Sequence, residues 1–77
     1  MAQLYFHYSN TDGMFIDGRG AAIAGLMEAH NHAASVVRSL VMAPSEEDWR
    51  GWILHVSDDL GEEIFALPFA SMLGKPH

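Results

Sequence analysis

Cysteine is missing from this 77-residue chain, so a disulfide framework, a thiol nucleophile, an iron–sulfur cluster and a cysteine-ligated zinc site are all excluded. Positive charge is scarce as well. Arg19, Arg38, Arg50 and Lys75 are the four basic residues; they are scattered, and ten acidic residues outweigh them to a formal net charge of −6. Nucleic-acid affinity depends on Lys and Arg neutralising phosphates, so the composition argues against a nucleic-acid partner. Long apolar runs are lacking too. Glu28, His30, Asn31 and His32 interrupt the richest stretch, which falls short of the ~20 clean residues a membrane span needs. Near the start, Tyr5, His7 and Tyr8 stand where a signal segment would carry a basic region followed by an apolar one. The expectation is a soluble, cytoplasmic chain with no membrane partner.

What is present is apolar weight. Hydrophobic residues make up 49% and charged residues 18%, enough burial to offset ordering entropy and to exclude disorder. The length fits one domain over residues 1–77, near the lower limit at which a core holds without staples.

Gln3 to Ser9 is aromatic-rich and reads as a strand. Asn10-Thr11-Asp12-Gly13 follows, with Asp-Gly expected to supply the positive-φ positions of a tight hairpin turn, and Met14-Phe15-Ile16 returns. Asp17-Gly18-Arg19-Gly20 breaks that strand, and Ala21-Ala22-Ile23 adds a short extended piece. From Leu26 to Met42 the period becomes helical, with Leu26, Ala29, Ala33, Ala34, Val36, Val37, Leu40 and Val41 on one half of the wheel. Ala43-Pro44 stops the helix, because proline lacks the N–H and disfavours helix in the residue before it. Ser45-Glu46-Glu47-Asp48 reads as a capped single turn. Trp52–Ser57 is the third long strand, Asp58-Asp59-Leu60-Gly61 turns it, and Glu63–Leu67 returns as the fourth before Pro68. Phe69–Leu73 forms a last helical turn before Gly74.

The layout is α+β: a β-hairpin, a helix and a second β-hairpin, forming a four-stranded antiparallel sheet with one long helix across one face. The simplest strand order is 2-1-3-4, joined by a right-handed crossover. Leu26, Ala29, Ala33, Val37 and Leu40 are expected to be buried against Leu4, Phe6, Trp52, Leu54, Val56 and Phe65.

Several of these segments form a recurring pattern. It starts with Leu4-Tyr5-Phe6-His7, continues through Asp17-x-x-Gly20, and reaches a helix in which Ala29 and Ala33 precede Arg38-Ser39-Leu40. Val56-x-Asp58-x-x-Gly61 and Leu67-Pro68-Phe69 close it. In this the chain resembles a family of short bacterial proteins known as a domain of unknown function. The resemblance spans nearly the whole chain and implies a shared fold and no particular activity. A looser, purely architectural likeness is to small antitoxin domains that lay one helix on a short antiparallel sheet.

Candidate chemistry is thin. His30 and His32 lie two apart on the helix, about 200° from each other, and cannot chelate one ion. His30 falls on the apolar half, as a packed or interface residue, and His32 on the polar half. His7 and His55 are the site candidates. If the more apolar alternate of each strand faces the helix, both lie on the opposite sheet face, on neighbouring strands. Two imidazoles with a carboxylate would suit zinc or nickel, yet the usual chelate spacing is absent, and solvated or interface histidines are the expectation. The carboxylates at Glu46-Glu47-Asp48, Asp58-Asp59 and Glu62-Glu63 fall in turns, where solvent surrounds them. Asp17-Gly18-Arg19-Gly20 lacks the lysine and following helix of a phosphate loop. No nucleophile motif supports a Ser-His-Asp triad. What remains is surface: a half-wheel apolar stripe, and Tyr5, Ile53 and Ile64 assigned to the far sheet face. Spare apolar area on so small a chain points to association. The expectation is a protein–protein interaction module without enzymatic activity, without a cofactor and homodimeric. An antitoxin-like domain masking a basic protein partner and a metal-binding protein using His7 and His55 are the alternatives.

Overall fold

The computed structural model describes residues 2–72. Strands β1 (Ala2–Ser9), β2 (Met14–Phe15) and β3 (Ala21–Ile23) precede helix α1 (Leu26–Met42), and β4 (Ile53–Ser57) and β5 (Glu63–Pro68) follow it. The order is β2-β1-β4-β5 with every pairing antiparallel, and β3 also pairs with β1. This is the α+β arrangement and the strand order expected, with the short extended piece joining as a fifth strand. β1 is central because its aromatic alternation serves two ladders: β4 runs along one edge, and β2 and β3 share the other.

The core forms where α1 crosses this sheet. Ala29, Ala33 and Val37 are buried with Leu4, Phe6, Leu54 and Val56, and the two alanines let the helix approach closely. Ile23, Trp52 and Phe69 complete the cluster. Ile23 and Phe69 were not among the expected core residues. Phe69 enters from a 3-10 turn (Phe69–Ser71) packed on another (Trp49–Gly51), beneath an aromatic group that includes Tyr8, Trp49 and Trp52.

Five expectations need correction. Leu26 is 60% exposed: as the first residue of α1 it rims an open groove with Ala2, Ile23 and Ile64 instead of entering the core. Leu40 and Phe65 are half-buried at the margin of the core rather than within it. The 10–13 turn contains no positive φ. Asn10 Oδ1 holds it instead by accepting from Asp12 N and Gly13 N, while Asn10 N donates to Gly13 O. The acidic turn after the helix starts later than Ser45: Asp48 caps the 3-10 turn Trp49–Gly51 by accepting from Arg50 N. Finally, β5 carries a bulge, with Phe65 opposite Val56 but Glu63 opposite Ser57. That extra residue moves Ile64 off the far face; it lines an apolar groove on the helix side with Leu4, Ile23, Leu26 and Ala29. Leu73 and Gly74 lie outside the described residues.

Candidate functional site

The far face of the sheet is set by the alternation of β1 and β4. Since Leu4 and Phe6 point to the helix, Tyr5, His7 and Ser9 point away. On β4, Leu54 and Val56 are buried, which leaves Ile53 and His55 on the same far face. The register makes His7 and His55 direct cross-strand partners. The two site candidates are therefore neighbours: the strand order sets their strands side by side, and the register, which the sequence leaves open, pairs them.

Each imidazole is already committed. His7 stacks parallel to Tyr5 with ring centroids 6.3 Å apart. Its Nδ1 accepts from Asp17 N at 2.9 Å, so the neutral ring carries its proton on Nε2. His55 lies in a row of three: Ser9 Oγ is 3.0 Å from its Nε2, and Glu63 Oε1 is 2.8 Å from its Nδ1. The bulge builds that row, because it sets Glu63 rather than Ile64 opposite Ser57 and so on the face His55 occupies. Among the described residues, no group of three or more His, Asp or Glu side chains is placed to hold a metal ion, and His7 Nε2 is the one imidazole nitrogen of this pair without a protein partner.

Asp17 lies at the edge of the same strand. β2 and β3 leave a gap along β1, and the Asp17 side chain fills it: Oδ2 accepts from Phe6 N at 3.1 Å, where a strand carbonyl would otherwise serve. Oδ1 accepts from Arg19 N and Gly20 N at 3.0 and 3.1 Å. Partial burial pushes the Asp17 carboxyl up, but the N–H groups of Phe6, Gly20 and Arg19 and the nearby His7 outweigh it, and the pKa lies below its ordinary 3.8. Gly20 has φ +72° and sits so close that an added Cβ would lie 2.7 Å from Leu4 O. The Asp17-to-Gly20 segment is thus a structural plug.

The other histidines flank the helix. His30 stacks on Phe65 at 4.0 Å with 8° between planes, the packed role expected of it, though its surface stays exposed. His32, assigned to a polar half-wheel, instead leans on Phe6 at 4.5 Å. It is half-buried and lines a groove with Phe6, Tyr8 and Ile16. Apart from the half-buried Asp17 and Asp58, the acidic residues are exposed, and Asp48 is held down to about 2 by the side chain and backbone N–H of Arg50.

A second feature is the outer edge of β2. Met14, Phe15 and Ile16 are 52%, 59% and 67% exposed in sequence. They border a groove of about 300 Å³ lined by Phe6, Tyr8, Phe15, Ile16, Asp17, His32 and Val36. Nothing in the sequence marked this groove, because the wheel gave no reason to bring His32 beside Ile16.

A family model described as a domain of unknown function (DUF6894) matches residues 3–70. No curated protein and no solved structure matches the chain. No described helix is long and apolar enough to cross a membrane.

Proposed function

Since the chain belongs to the DUF6894 family, a domain of unknown function, we propose from its surface chemistry that it is a protein–protein interaction module. In this reading it is a binding protein rather than an enzyme, needs no cofactor, and pairs with a second copy of itself through the outer edge of β2. The observation that carries the reading is the uncharged row Met14-Phe15-Ile16, each residue more than half exposed, formed by β2, whose other edge already pairs with β1, and the residue that follows it. An open strand edge bearing large apolar side chains is a template for strand addition. A two-fold pairing would set Phe15 and Ile16 of each copy against the groove beside Tyr8 and His32 of the other. A stable interface needs about 800 Å² from each partner. The molecule's whole surface is 5284 Å², and the strip with its groove is the natural centre of such a patch. Asp17 lines that groove, and its carboxylate is occupied there by the N–H groups of Phe6, Arg19 and Gly20.

Sedimentation velocity tests this. A dimer is expected at micromolar concentration, and Phe15→Asp is expected to return a folded monomer. A wild-type chain that stays monomeric at high micromolar concentration overturns the proposal. A basic protein partner is the second reading, supported by the net charge of −6 and the exposed carboxylates of Glu46, Glu47, Asp48, Asp59, Glu62 and Glu63. It requires a complex that weakens steeply with salt, whereas the apolar dimer does not.

A further inference from the structure

We propose that Ser9 is a site of covalent acylation, with His55 as its base and Glu63 as the group that orients the base. The three side chains form one hydrogen-bonded row across three strands. Ser9 comes from the end of β1, His55 from β4 two residues past Ile53, the cross-strand partner of Ser9, and Glu63 from the bulged start of β5. A carboxylate only accepts, so the 2.8 Å contact of Glu63 Oε1 requires the proton of His55 to sit on Nδ1. His55 Nε2 then holds a lone pair, and the Ser9 hydroxyl, 3.0 Å away, donates to it. That is the tautomer a serine nucleophile needs: a hydroxyl within reach of a base whose far nitrogen is fixed by an acid. His55 is 23% exposed and Glu63 52%, and Ser9 is half-buried, so the row is open to a small molecule. His7 adds the remaining element. Asp17 N fixes the His7 proton on Nε2, and the register places His7 beside His55 on the same face, which makes its imidazole the donor to test for negative charge developing there.

The matching reactant is a small activated acyl ester. Ser9 Oγ bonds to the acyl carbon, and the ester C–O bond breaks. The Ser9 proton passes to His55 Nε2, giving an imidazolium paired with Glu63, and from there to the departing alkoxide. No oxidant or reductant is required. The row lies on an open face of the sheet, with the His55 side chain 23% and the Glu63 side chain 52% exposed. The expected outcome is therefore stoichiometric modification of one serine rather than rapid turnover, and it is compatible with a binding role for the adjacent β2 edge, whose groove lies on the helix face of the sheet and not on the face of Ser9.

The probe is p-nitrophenyl acetate with the full chain, followed by peptide mass spectrometry. Acetylation is expected on Ser9 at least tenfold faster than on Ser35, an exposed helix serine without a base that serves as the internal control. His55→Gln should slow the Ser9 rate by at least tenfold and leave Ser35 unchanged, since a positioned base contributes about 10²-fold or more in enclosed sites and less in the open. Glu63→Gln, on an exposed side chain that leaves the fold intact, should slow it several-fold. Equal acetylation of Ser9 and Ser35, or a Ser9 rate indifferent to both substitutions with circular dichroism unchanged, overturns the proposal.

Discussion

Two loops of this protein use the same four-residue device for different ends. In the loop between β2 and β3, Asp17 Oδ1 accepts from the N–H groups of residues 19 and 20, and Gly20 follows with φ +72°. In the loop between β4 and β5, Asp58 Oδ1 accepts from Leu60 N and Glu62 N, both at 2.9 Å, and Gly61 has φ +83°. Both loops need an aspartate to collect backbone N–H groups and a glycine for a left-handed turn. The difference lies in reach. Every bond formed by the Asp58 carboxylate stays within its own turn, and a Cβ on Gly61 would meet open space. Asp17 also reaches Phe6, 11 residues away on the central strand, and Gly20 is pressed against Leu4, Gln3 and Tyr5 of that strand. A local motif closes a hairpin in one place and seals a sheet edge in the other.

Substitutions test that difference, beginning with the most damaging. Gly20→Ala places a Cβ against backbone and imposes the left-handed cost as well. Overpacking of about 1–3 kcal/mol plus about 1–2 kcal/mol for the conformation should remove a large part of a stability that totals only about 4–12 kcal/mol at this length. Gly20→Asn should be nearly as harmful, since asparagine tolerates the φ but not the clash. Asp17→Asn comes next, at about 1–3 kcal/mol, because it weakens acceptors for three N–H groups. Its effect should depend on pH. The folded Asp17 binds its proton less readily than the unfolded one, so its contribution is complete above 3.8 and fades as pH falls through the lower folded value. Urea melts at pH 7 and pH 3 should show the gap between wild type and Asp17→Asn narrowing in acid; a constant gap contradicts the ladder role. Gly61→Ala should cost only about 1–2 kcal/mol, the conformational part alone. Gly61→Asn should be the mildest, within about 0.5 kcal/mol of wild type. If the two asparagine variants melt together, the two loops are not different in kind.

The sequence carried more of the fold than of its surfaces. Helix 26–42 was readable to its ends because the apolar period and Pro44 are local signals, and the strand order followed from parsimony and hydrophobic alternation. Leu54, fully buried in the central ladder, remains the position where truncation to alanine should cost about 2–5 kcal/mol. What was not readable depended on other parts of the chain. Gly13 looked like a positive-φ residue, but Asn10 supplied the turn in another way. Phe69 gave no periodic signal, and its burial comes from the second 3-10 turn beneath Trp49 and Trp52. The bulge did leave a trace: Ile64-Phe65, two adjacent large apolar residues in a strand with one open face, cannot both follow a simple alternation. Reading that trace would have moved Glu63 to the face of His55 and revealed the row ending at Ser9. That His7 and His55 share a face on neighbouring strands is legible in the sequence, but their register and the partners that occupy their nitrogens are not.

The position of β1 also has a consequence in time. Its partner across the centre of the sheet is β4, so the ladder that joins His7 to His55 closes a loop of nearly fifty residues, while α1 and the β4–β5 hairpin depend on near neighbours. Loop closure must be completed before such a pairing returns any energy, and chains dominated by distant contacts reach the native state in milliseconds to seconds rather than microseconds. During synthesis β1 is made first and waits longest. Until Ile53–Ser57 emerges, one whole edge of the central strand has no partner, and the nascent chain holds only the short pairings with β2 and β3 on its other side. The same strand that organises the finished sheet is thus the part of the molecule most exposed to mispairing while it is being made.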